Sequence, residues 1–307
     1  MTYRYQVFGL CIESAFKMEE LTPEHDDIRN ADVRILSVDL GIEMKAMGEA
    51  PPFMNFEDPE RVVMVWPGCA AVEICGHSHV NVQEYPGNPE TYMAFPILGP
   101  IMGWLLFQRG LAVLHSSAVS IDNFAIAFMG DKGAGKSTTA AAFLQAGADL
   151  ITDDLLVIDM SSDQLPMIQP SFAQLKLEDA ATHRMQIPDA KVLPLVMSGV
   201  TKRQHRLATM MNTSRPCDAF FVIHRKGTEP SIEWVEPGEG FQHLVRYSYN
   251  VRFDSAPVHM QARARNFKDC VKLANTSKVG ILSIPHDLLD LNKTVDYVRQ
   301  VMAKLSR

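Results

Sequence analysis

Apolar and polar positions alternate along much of the first ninety residues, the pattern of half-buried strands. Tyr3 to Leu10 and Val33 to Val38 carry strand formers in partial alternation, and Arg61-Val62-Val63-Met64-Val65-Trp66 is a compact β-branched run. Val72-Glu73-Ile74 and Val80-Asn81-Val82 alternate on either side of Cys75-Gly76-His77-Ser78, which predicts a hairpin. Tyr85-Pro86-Gly87-Asn88-Pro89 is dense in turn formers, so a boundary is expected near residue 90. Residues 1–90 read as a small β-rich domain.

Beyond residue 95 the pattern lengthens. Ala94 to Phe107 is apolar, too short to span a bilayer, and interrupted by Pro96, Gly99 and Pro100, so it reads as a loop leading into a buried helix. Val113 to Val119 is expected to be one strand and Phe124 to Met129 another, the second running directly into a glycine-rich loop. Ser137 to Ala146 is alanine-rich and helical in character, with Gly147 placed to end it, and Leu155-Leu156-Val157-Ile158 reads as a buried strand. Strand, loop, helix and strand in that order make an α/β unit. Further strands are expected at Ala219 to Ile223 and Val279 to Ile284, and helices at Phe241 to Tyr249, Ala262 to Ala274 and Leu291 to Leu305. All of 91–307 is assigned to this second domain.

Composition narrows the class. With 307 residues, 47% hydrophobic and 21% charged, the chain has the make-up of a soluble globular protein with ample core. A formal charge of -7 argues against nucleic acid or an anionic membrane as main partner, because both reward a basic face. Five widely spaced cysteines without a C-x-x-C pair suggest a reducing compartment, and Met1 to Gln6 lacks the features of a signal peptide, so a cytoplasmic location is expected. The sequence leaves room for a homo-oligomer.

The chemistry concentrates in Gly130-Asp131-Lys132-Gly133-Ala134-Gly135-Lys136-Ser137, which fits G-x-x-x-x-G-K-[ST] at every fixed position. Glycines allow backbone angles that turn successive N–H groups towards phosphate oxygens, and the positive end of the following helix adds to the attraction. Lys136 is placed to reach the outer phosphates of a nucleoside triphosphate and Ser137 to ligate magnesium. ATP and Mg2+ are the expected ligands. The loop alone does not select a kinase, because motors, GTPases and transport ATPases share it.

Asp153-Asp154 follows the predicted helix. Two carboxylates beside a bound triphosphate can divide two tasks, one helping to hold magnesium and one taking a proton from an attacking hydroxyl; an acidic turn is the plain alternative. His115, alone in an apolar strand, reads first as a core residue. Lys202-Arg203-Gln204-His205-Arg206 reads as a solvated basic loop, Arg246 as a residue with nothing to orient it, and His77-Ser78-His79 as a turn.

Taken together, Leu114-His115-Ser116-Ser117-Ala118-Val119, then Gly130 to Thr138, then Ile151-Thr152-Asp153-Asp154 resemble HPr kinase/phosphorylase in order and spacing. The opening Tyr3 to Leu10, Gln108-Arg109-Gly110 and Leu244 to Tyr249 look like a divergent branch of that family, which phosphorylates the C-terminal serine of lasso-peptide precursors. The resemblance implies a PEP-carboxykinase-like P-loop domain behind the β-rich one. It implies a nucleotide cradle from Gly130 to Thr138, with Lys136 on the outer phosphates and His115 beside them. Asp153 would accept the proton, with Ser137 and Asp154 on the magnesium side. The implied partner is a short peptide of lasso-precursor type.

Two departures stand out. Gln174-Leu175-Lys176-Leu177 puts a neutral amide where the family carries a second metal-binding glutamate, and no copy of the segment tied to phosphorylase activity is present. A kinase for small-molecule alcohols and a nucleotide-binding regulator without turnover are the rival readings.

Overall fold

The computed structural model of the chain describes residues 1–24, 29–43, 52–58, 60–87, 93–161, 165–193, 201–253 and 260–305, the side chains of residues 57, 252, 253 and 260 apart. It is a mixed α/β protein with several sheets. Backbone contacts divide it into two units, Met1–Leu111 with Arg252–Arg265, and Ala112–Val251 with Asn266–Arg307. The boundary expected near residue 90 falls inside the first unit's span.

The first unit is built on an eight-stranded sheet. Its strands are β1 (Tyr3–Val7), β2 (Leu10–Ser14), β3 (Thr22–Pro23), β4 (Val33–Ser37), β5 (Phe53–Asp58), β6 (Arg61–Trp66), β7 (Ala70–Cys75) and β8 (His79–Glu84), in the order β3-β1-β2-β4-β8-β7-β6-β5. Tyr3 to Leu10 is not one strand. Phe8 and Gly9 both take positive φ, 54° and 75°, and so close a two-residue hairpin between β1 and β2. The β7–β8 hairpin forms where alternation predicts it, and Val62, Met64, Val72, Val80 and Val82 are fully buried.

Helix also begins earlier than expected. Helical turns run through α1 (Ala94–Pro96), a π-helical stretch (Ile97–Ile101) and α2 (Met102–Gln108). Pro100 lies inside the wide π turn, a geometry that accommodates the missing N–H donor and the bulk of the ring. No helix among the described residues is long and apolar enough to cross a membrane.

The second unit contains a six-stranded sheet in the order β12-β10-β11-β19-β21-β20. These strands are β10 (Ser117–Ile121), β11 (Phe124–Met129), β12 (Asp149–Thr152), β19 (Ala219–Arg225), β20 (Ser231–Trp234) and β21 (Lys278–Ile284). β11, β19 and β21 run parallel. Their near-continuous apolar sequences suit strands covered on both faces. On one face Phe128, Phe221 and Leu282 pack with α3 (Lys136–Gln145) and α7 (Leu291–Leu305). On the other, Met129, Phe220 and Val222 pack with α5 (Pro237–Arg246) and the second half of α6 (Met260–Thr276).

Two smaller sheets complete the unit. β9 (Ala112–Leu114), β13 (Leu156–Asp159), β14 (Met167–Ile168) and β18 (Arg215–Pro216) form one. β15 (Gln174–Glu178), β16 (Lys191–Val192) and β17 (Lys202–Arg206) form the other, with the short helix α4 (Asp179–Arg184) between β15 and β16.

The segment Val113 to Val119 is therefore two strands in two sheets, broken at His115-Ser116. The basic run 202–206 is not a solvated loop either. It is strand β17, paired along its length with β15, and Gln204 and His205 are buried. Backbone pairing overrides the polar composition there, because long amphipathic side chains cover the strand while their charged ends stay wet.

Candidate functional site

One end of the six-stranded sheet gathers the chemistry. β11 runs parallel to β19, and its last residue, Met129, leads into the loop. β10 runs antiparallel to β11, so its first residue, Ser117, stands opposite Phe128 at that same end. β12 is antiparallel to β10 in turn, and Thr152 pairs with Ala118. Asp153 and Asp154 therefore emerge beside the loop.

The loop itself is shaped by glycine. Gly130, Gly133 and Gly135 adopt φ of 154°, 86° and 105°. A side chain at Gly130 would come within 2.9 Å of the Ala134 Cβ, so only glycine fits that turn, whereas one at Gly133 would meet open space. Gly135 caps α3, and the helix begins at Lys136 as the alanine-rich pattern predicts to within one residue. Asp131, Lys132 and Gly133 are exposed, while Ala134, Gly135, Ser137 and Thr138 are half-buried. Lys136 is buried and donates from Nζ to the Gly130 carbonyl at 2.8 Å and to the Asp131 carbonyl at 3.4 Å.

Asp153 is the hub. Its Oδ1 accepts from Ser137 Oγ at 2.9 Å and from Ser117 Oγ at 2.5 Å, and its Oδ2 accepts from the Lys176 backbone N–H at 2.8 Å. The side chain is buried. Burial, reinforced by the neighbouring Asp154 charge, raises its pKa above the usual carboxylate value, against the pull of Ser117 and Lys176.

Asp154 has the opposite balance. Burial works to raise its pKa, but the Lys176 ammonium at 2.7 Å, with His115 nearby, holds it well below the ordinary range. Lys176 is in turn held in its charged form: burial opposes the charge, and Asp154 outweighs burial. The backbone of Asp154 lies at φ 79°, a left-handed conformation uncommon for a residue with a side chain. Two adjacent carboxylates thus hold protons with different strength.

His115 sits at the break between β9 and β10. Its N–H donates to the Tyr247 carbonyl at 2.8 Å, and the ring stands edge-on to Tyr249 with centroids 6.4 Å apart. Nδ1 lies 3.1 Å from the Asp154 carbonyl oxygen. A carbonyl can only accept, so Nδ1 carries the proton of this hydrogen bond. Arg246, at the end of α5, forms a two-pronged contact with the loop residue Asp131 at 2.9 and 3.1 Å.

The structure thus joins Ser137, Asp153, Asp154 and His115 through direct or one-residue links, with Lys136 on the adjoining loop. It also adds residues that sequence reading passed over. Ser117 was visible only as part of a strand. Lys176 stands two residues after Gln174, so the period-two rule puts both on one face of β15. Gln174 is itself buried, with its Nε2 lacking a hydrogen-bond partner.

No family model matches this chain, and no curated protein matches it. Among solved structures it is similar to the Hpr(Ser) kinase/phosphatase from Coxiella burnetii, at 11% identity over 64% of this chain and 99% of that one, with a TM-score of 0.30. A likeness of that size carries neither the fold nor the activity, and the site must stand on its own geometry.

Proposed function

We propose that this protein is an ATP-dependent kinase that transfers the terminal phosphoryl group of ATP to an alcohol. The observation that carries the reading is the Ser137–Asp153 hydrogen bond. It ties the first turn of the loop helix to a buried carboxylate whose proton affinity is raised. A carboxylate beside the loop serine also serves metal binding in nucleotide-binding loops of other classes; it is the raised pKa of Asp153 that suits it to take a proton from an attacking hydroxyl.

The loop N–H groups and Lys136 bind and orient the triphosphate. The acceptor oxygen attacks the terminal phosphorus as the bond to the bridging oxygen breaks, and ADP leaves. The hydroxyl proton passes to Asp153, for which its raised pKa suits it. Asp154 stays ionised against Lys176, and His115 fixes the turn that carries it.

The donor set also fits magnesium, a hard cation that prefers oxygen, because the Ser137 hydroxyl and a carboxylate oxygen already converge. Ser137 and Asp154 would hold the ion, which when bound would neutralise phosphate charge, and Asp153 is left to take the proton.

For the acceptor we propose a serine hydroxyl, and within that class the C-terminal serine of a lasso-type peptide precursor. This narrower statement rests on the sequence resemblance in the His115, loop and Asp153-Asp154 segments. Incubating the protein with ATP, magnesium and serine-ending precursor peptides, beside a panel of small alcohols, tests both levels. A peptide heavier by one phosphate supports the full proposal. Phosphorylation of a small alcohol alone replaces the acceptor, and tight nucleotide binding with no transfer to either would sink the kinase reading.

A further inference from the structure

We infer that Arg225 is a phosphate-binding residue of this site, reaching the β-phosphate from the strand beside the loop; the inference rests on the nucleotide reading above. Arg225 is the last residue of β19, the parallel neighbour of β11. The register pairs Met129 with Val222, so the chain continues three residues past the point where β11 turns into the loop. Those residues follow the loop along its length. A Cβ placed on Gly130 would lie 3.6 Å from the Ile223 carbonyl oxygen, and one on Gly135 would lie 3.3 Å from Nη2 of Arg225. Gly135 is thus the residue that leaves space for the guanidinium at the mouth of α3.

Lys132, in the loop itself, points to solvent, whereas three other cations around the loop are engaged. Lys136 donates to loop carbonyls, Lys176 is paired with Asp154, and Arg246 is paired with Asp131. Arg225 is exposed; its backbone pairs with β21, and its guanidinium makes no hydrogen bond or ion pair with any described residue. That is notable in a chain with 36 acidic against 29 basic residues. An unpaired guanidinium held against a helix N-terminus gathers positive charge that the protein itself does not neutralise. An anion with several oxygens is the ligand that such a fork recognises. In loops of this pattern the backbone N–H groups face the inner phosphates while the lysine reaches the outer ones. A group beside Gly135 therefore meets the β-phosphate, which ATP and ADP share and AMP lacks.

The test measures binding of ATP, ADP and AMP with magnesium to the full-length protein by titration calorimetry, for the parent, Arg225→Gln, Arg225→Lys and Lys136→Ala. Arg225→Gln should weaken ATP and ADP by roughly 10-fold or more, as loss of a charge-assisted contact does, and leave AMP unchanged. Arg225→Lys should recover part of the loss. Since the side chain is exposed and unpaired, the thermal midpoint should not move. ATP and ADP bound by Arg225→Gln as tightly as by the parent would overturn the inference alone, with Lys136→Ala still showing that the loop binds phosphate. Equal weakening of all three nucleotides would also overturn it. If the parent binds no nucleotide, the inference falls together with the proposed function.

Discussion

Ser137 donates to Asp153 across 2.9 Å, joining the first turn of α3 to the end of β12. The two residues are 16 apart in sequence and belong to elements that each have their own reason to form. Their contact holds a buried carboxylate beside the glycine-rich loop, and under the proposed kinase reading the two side chains have separable roles.

Asp153→Asn should abolish most phosphoryl transfer while sparing nucleotide binding. Removal of a proton acceptor costs about 10²- to 10⁴-fold in turnover. Ser137→Ala should instead raise the magnesium concentration needed for half-maximal rate. Single-turnover rates and magnesium titrations distinguish the two. Full activity in Asp153→Asn would end its assigned role.

The raised pKa of Asp153 gives the transfer rate a direction with pH. The acceptor works only when ionised, so activity should climb as pH rises through a value above 3.8, the ordinary aspartate value. Lys176→Met removes a positive charge beside the pair and should move this acid limb further upward. A rate profile measured between pH 4 and pH 8 in about half-unit steps reads both shifts. An unmoved limb in Lys176→Met would show that the lysine does not tune the pair.

Lys176→Met should also destabilise the fold. Asp154 has a depressed pKa, so its ion pair stabilises the folded state above the ordinary aspartate pKa, 3.8, and that contribution fades as pH falls through the depressed value. In the variant the stranded carboxylate must be buried charged or take up a proton. A loss of about 1–3 kcal/mol is expected at pH 7, below the range for a fully buried pair because both side chains retain some solvent contact. The gap from the parent should narrow at acidic pH, where the variant's Asp154 protonates. Urea denaturation at pH 7 and pH 4.5 checks the sign.

Glycines of the loop should not be equivalent. Gly130→Ala meets the Ala134 Cβ at 2.9 Å in addition to its positive φ, so it should distort the loop and weaken ATP binding by roughly 10-fold or more. Gly133→Ala meets only open space and should cost about 1 kcal/mol of backbone strain, with smaller loss of affinity. Comparable affinities in the two variants would contradict this account of the loop.

The sequence alone determined the glycine-rich loop, because its requirements are local: glycines at fixed spacing, a strand before and a helix after. It determined likewise the acidic pair that follows and the β7–β8 hairpin, each readable from a short window. Only the tertiary structure decided what those groups touch. Ser117 reaches Asp153 across 36 positions and Lys176 reaches Asp154 across 22, through pairings of strands that no local pattern records. The same cause split Val113 to Val119 between two sheets and made a strand of the basic run 202–206. Periodicity reports which face of an element is covered. Which sheet it joins, and in what register, depends on backbone partners far along the chain, and at this site those partners shift how tightly each carboxylate holds its proton.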